Sequence, residues 1–145
     1  MTPLEFQKSM SSKGFNCSQI VFSYFAPRLG LDLNKALKIS SGFGKGMQKS
    51  SICGVVTGAY MVLGLYYGNS LEDFDKTQLK KKLLEFDDEF AKISNSQICK
   101  EIVGVDLRDI DKVKEMAIKN PDFMIKCSDL VIDTIKIIEK IVKES

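Results

Sequence analysis

A chain of 145 residues, 44% hydrophobic and 28% charged, is long enough to bury one core without disulfide or metal staples, and residues 1–145 read as a single domain. Its net charge of +2 predicts nothing about partners; the one basic run, Lys80-Lys81-Lys82, runs straight into Glu85, Asp87, Asp88 and Glu89 and reads as a solvated helix face, so no nucleic-acid partner is expected. Histidine is absent, which excludes the ordinary Ser-His and Cys-His catalytic pairings and leaves metal or redox chemistry to four cysteines.

Residues 1–14 lack the apolar stretch of a signal peptide, so a cytoplasmic location is expected, where thiols stay reduced. Thr2-Pro3-Leu4-Glu5 has the form of a capping box with proline at the first helical position, opening a helix that ends near Lys13-Gly14. Asn16 caps a second helix, Cys17 to about Leu29, with Ile20, Val21, Tyr24 and Phe25 on its buried side; Pro27 kinks its last turn and Gly30 closes it. Asp32 caps a third, Leu33 to Ser40.

Ser41-Gly42-Phe43-Gly44-Lys45-Gly46-Met47 then breaks regularity. Ser50 or Ser51 is expected to cap a central helix that carries no charge from Ser50 to Leu71 and holds Gly54, Gly58, Gly64 and Gly68. Its glycines and lack of basic flanks favour a buried helix over a membrane span. A fifth helix, Lys76 to Ser94, carries a stripe of Leu79, Leu83, Phe86, Phe90 and Ile93. A short helix with Ile98, Cys99, Ile102 and Val103 ends at Gly104, and a charged one stops at Asn120-Pro121. The last carries Cys127, Leu130, Val131, Thr134, Ile137, Ile138 and Ile141 on one face. The expected fold is all-α: an irregular single-domain bundle of about six to eight helices around a buried glycine-rich central helix.

Cys17, Cys53, Cys99 and Cys127 lie 36, 46 and 28 residues apart. Three fall near predicted helix starts, where backbone N–H groups and the helix dipole favour a thiolate. Cys17 follows its cap, Cys53 stands two or three residues past a serine cap, and Cys99 three past Ser96. No local C-x-x-C knuckle exists, so three readings stay open: a shared metal or cluster site, a dithiol redox pair, or four unconnected core cysteines. Glycine inside a helix costs about 1 kcal/mol, so Gly54 and Gly58, together with Gly42 and Gly44 in the loop, read as points where another backbone or a cofactor comes close. Lys45 reads as a loop lysine that could instead stabilise thiolates. The loop fits neither the phosphate-loop nor the dinucleotide glycine spacing.

The residues around the cysteines resemble the C-GCAxxG-C-C family of small redox-active proteins. Phe15-Asn16-Cys17-Ser18-Gln19 matches the first family cysteine. Cys53, Gly54 and Gly58, continuing through Gly64, match the core element. Cys99 ahead of Gly104 and Asp106-Leu107 matches the third cysteine, and Cys127-Ser128-Asp129-Leu130-Val131 the fourth. Val55 stands where the motif has alanine. The resemblance implies a redox role with Cys17, Cys53, Cys99 and Cys127 as its residues. An iron–sulfur cluster serving electron transfer is the first expectation, zinc the second. A metal-free disulfide pair of Cys17 and Cys53 and a helical interaction module with structural cysteines are the alternatives. The pattern names no electron-transfer partner, and it allows a homo-oligomer.

Overall fold

Capping chemistry decides where the first helices begin. A computed structural model describes residues 1–143. In it Thr2 and Glu5 close the capping box of α1 (Pro3–Ser12), and Asn16 and Gln19 close another for α2 (Cys17–Phe25). Each box satisfies two backbone N–H groups that no helical carbonyl reaches. Pro27 supplies no N–H to the ladder, so α2 stops at Phe25 and the chain tightens into a 3-10 turn, Ala26–Leu29. Gly30, at φ 87°, turns the chain out. Asp32 caps α3 (Leu33–Ser40) by accepting from the Lys35 amide at 3.0 Å.

The central helix, α4 (Gly54–Tyr67), starts later than its serines suggest, with Cys53 as its cap residue. Ser50 and Ser51 are taken up elsewhere. Ser50 belongs to a left-handed turn, and the chain then runs extended to pair Ile52 with Ile98 in an antiparallel bridge. α5 (Thr77–Ala91) is followed by α6 (Cys99–Val103), α7 (Ile110–Lys119) and α8 (Ile125–Lys143), which makes eight α-helices and no strand among the described residues. No helix among them is long and apolar enough to cross a membrane.

α4 packs against α2, α5 and α8, and the core lies between them. Phe25, Leu63, Phe86, Phe90, Ile135 and Ile138 are its largest sealed side chains, with the Phe86 and Phe90 rings stacked at 5.6 Å. The first half of α4 is the buried half; Tyr60 and Leu65 reach solvent. Val55, the departure from the family alanine, is wholly buried in this core. Ile93, expected on the buried stripe of α5, lies beyond the helix end and is exposed. One lysine of the basic run also departs from expectation. Lys82 is buried, with its ammonium 3.4 Å from Glu85 and 5.3 Å from the centre of the Tyr67 ring. Its long stem lies along apolar surface while its charge finds a carboxylate and a ring face.

The glycines of α4 divide by what surrounds them. A Cβ on Gly58 would stand 3.0 Å from the Ser18 carbonyl oxygen and 3.0 Å from Val21 Cβ, whereas one on Gly64 would meet nothing within 4 Å. Gly58→Ala is therefore expected to destabilise by pushing α2 away from α4. Gly64→Ala should stabilise by roughly 0.5–1 kcal/mol through helix propensity alone. Urea unfolding of the two variants checks the opposite signs.

Candidate functional site

Every second helix begins at a cysteine. Cys17 is the first residue of α2, Cys53 the cap residue of α4, Cys99 the first residue of α6 and Cys127 the third of α8. A chain of helices that reverses direction at each connection brings alternate N-termini to one end. These four starts line one cavity of about 350 Å³. Cys53 and Cys99 are buried, and Cys17 and Cys127 are half-buried; all four thiols are free.

Long-range pairing sets two of them. The Cys53 N–H donates to the Gln97 carbonyl at 2.7 Å and the Cys99 N–H to the Ser51 carbonyl at 2.6 Å, one on each side of the Ile52–Ile98 bridge. The turn before it runs through positive φ at Lys45, Gly46, Met47 and Gln48, and again at Ser50. Left-handed backbone costs roughly 1–2 kcal/mol for each non-glycine residue. Gly46 is required there on two counts: its φ is 63°, and a Cβ would meet Cys99 Cβ at 2.8 Å. Ser50 ties the turn down by accepting from the Leu107 amide at 2.8 Å, and its hydroxyl also faces the Cys99 thiol.

The electrostatics oppose ionisation in the metal-free protein. Burial pushes the Cys53 and Cys127 thiols up to about 11 each, and it raises Cys17 most of all. Mutual repulsion adds to it: Cys17 senses the other three sulfurs, Cys127 senses Cys53 and Cys99, and Cys53 senses Cys99. Cys99 is raised by burial too, with Ser50 opposing and Asp106 reinforcing. The Val55 and Val56 amides point toward Cys53 and favour its thiolate, yet burial outweighs them. The expectation that helix starts alone would yield thiolates is thus overturned by desolvation. Among the described residues the cavity lining holds no carboxylate and one charged group, Lys45.

The supporting glycines fare differently. Gly54 carries α4 against the start of α2, since a Cβ there would lie 3.0 Å from the Ser18 amide and 3.3 Å from Cys17 Cβ. A Cβ on Gly44 would collide with the Asn16 side chain, whose amide already caps α2 and donates to the Ser41 carbonyl at 3.1 Å. Gly58 approaches α2 one turn further on. Gly42 approaches nothing within 4 Å, so the close contact expected of it does not occur. Lys45 is exposed at the cavity rim. Gly46 and Ser50 carry the contacts to Cys99, and the only sequence signal for them was the crowding of glycine before the core motif.

Four helix starts thus bring four thiols to the lining of one cavity in a small all-helical protein. Over residues 15–141 the chain matches the family described as "Putative redox-active protein (C_GCAxxG_C_C)", and it belongs to that family. No curated protein and no solved structure matches it.

The raised thiols carry a pH signature. Below the ordinary thiol value of 9.0 both folded and unfolded chains are protonated, and the sulfurs contribute no difference. Above it the unfolded chain ionises first, so the metal-free fold loses stability until Cys53 and Cys127 themselves ionise at about 11. Urea midpoints compared at about pH 8 and about pH 10.5 should fall further for the native chain than for a variant with all four cysteines replaced by serine.

Proposed function

We propose that the protein is a single-electron carrier in which Cys17, Cys53, Cys99 and Cys127 hold an iron–sulfur cluster. The observation that carries this reading is the meeting of four thiols from four helix starts in a cavity whose lining holds no acid. Each thiol is disfavoured as an anion by burial and by its neighbours, and a cationic group among the sulfurs relieves both penalties at once. The dipoles of α2, α4 and α8, with Lys45 at the rim, suit the net negative charge that four thiolates leave on a bound cluster.

The donor set and the room fit a polynuclear group better than one ion. A single zinc ion needs its thiolates within about 2.3 Å of one point; among the described residues no three His, Cys, Asp or Glu side chains are grouped to hold an ion, so the thiols would have to close on a metal of either kind. A cluster spreads its cysteines over separate irons, and an all-cysteine set is its ordinary ligand field. Such a group exchanges one electron without making or breaking a bond to the protein. The metal-free alternative, disulfide exchange between Cys17 and Cys53, draws support from the contact of Gly54 with Cys17, but burial leaves both thiols poor nucleophiles near neutral pH. Free thiols and one-electron chemistry suit the reducing cytoplasm, with another redox protein as donor.

Protein prepared without oxygen is expected to absorb between roughly 320 and 460 nm and to contain iron and acid-labile sulfide. Serine at any one of the four cysteine positions should weaken or abolish the absorption. Colourless, metal-free protein whose thiols alkylate rapidly near pH 7 would instead establish the disulfide reading.

A further inference from the structure

Helix α1 places one more polar group at the cavity. Gln7 is only 6% exposed, yet it lines the same space as the four cysteines. Its neighbours on α1 explain the burial, because the helix packs against α2 and α8 and Met10, three residues on, enters the core. No hydrogen bond to its carboxamide occurs among the described residues. The side-chain atoms sealed without a partner are Ser23 Oγ, Thr134 Oγ1 and Glu139 Oε1, and those of Gln7 are not among them. Its polar end is therefore not sealed from solvent, and it has no protein partner among the described residues.

An amide without a protein partner adds no hydrogen bond to the fold, and a leucine or methionine on the same helix face would fill the position as well. A carboxamide offers two N–H donors and one acceptor. It shares the cavity with four sulfurs, with Ser11, Asn16, Lys45 and Ser128, and with no carboxylate, so the lining gives its donors sulfur to face and no competing anion. Gln7 lies before residue 15, where the family match begins.

We infer that Gln7 donates a hydrogen bond to the sulfur-borne negative charge of the group held by the four cysteines and thereby raises its reduction potential. This rests on the cluster reading above. The reduced state carries one more negative charge than the oxidised state, so a donor aimed at sulfur stabilises it more, which moves the potential upward. Gln7 is a tuning residue and no ligand; the four thiols hold the group without it.

The test uses the full chain, Gln7→Leu and the shape-matched Gln7→Met, each studied metal-free and after anaerobic reconstitution with iron and sulfide. In the metal-free chains neither variant should lower the urea midpoint, because no protein hydrogen bond is lost. In the loaded chains, titrated with dithionite and redox dyes, iron and sulfide content should be unchanged and the midpoint potential should fall. At the native midpoint the reduced-to-oxidised ratio should drop at least threefold, about 30 mV for a one-electron couple. Full loading with an unaltered potential overturns the inference alone, as does a lowered metal-free midpoint, which would mark Gln7 as a packing residue. Folded variants that fail to load overturn it too, by making Gln7 a ligand. A native chain that takes up no iron and sulfide overturns the cluster reading itself, and this inference with it.

Discussion

Two amide hydrogen bonds on either side of the Ile52–Ile98 pair tie the site together. They join Ser51–Cys53 to Gln97–Cys99, and the starts of α4 and α6, far apart in the chain, are held side by side. Sheet-like pairing is otherwise absent among the described residues, so this single bridge acts as a local clamp. The left-handed turn from Lys45 to Gln48 lets the chain enter that clamp at the right angle. Gly46 makes room for Cys99, and Ser50 fastens the turn to Leu107. Backbone strain in the turn is offset by the contacts that converge on it.

Desolvation is the second governing term. Helix starts favour negative charge by a fraction of a kcal/mol to about 2 kcal/mol each. Burial of a thiolate among other thiolates works harder in the opposite direction, as the raised values of Cys53 and Cys127 attest. The fold thus arranges four sulfurs where none is comfortable as a lone anion. Positive poles of helices, a single lysine at the rim and a carboxamide without a protein partner surround them. That combination suits a bound cationic core whose complex remains anionic overall.

Local signals read well where they act locally. The box at Thr2, the cap at Asp32 and the stops at Gly104 and Asn120-Pro121 define α1, α3, α6 and α7 from sequence to within a residue or two; the box at Asn16 fixes the start of α2, whose α-helical part ends at Phe25 and not near Leu29. α4 was misplaced at its start because Ser50 and Ser51 look like caps, while the pairing that claims this segment comes from residues 97–99. The start of α8 carries no local signal either, since Asn120-Pro121 gives no cap at Ile125; the helix starts where the turns after Pro121 run into it. The meeting of the cysteines was legible only through their helix-start placement and the family pattern, because no short spacing joins them. Gln7 was invisible for another reason: a glutamine in an amphipathic helix reads as solvent-facing until neighbouring helices cover it. Lys82 was hidden in the same way by Tyr67 and Glu85.

Because the sulfurs come one from each quarter of the chain, the last of them at the head of α8, no fragment released early in synthesis contains the whole set. Until residue 127 is added the nascent chain has three thiols, and the core stays open until the rest of α8 follows. The site therefore cannot be complete before α8 exists, and any product cut short of that helix lacks the fourth sulfur.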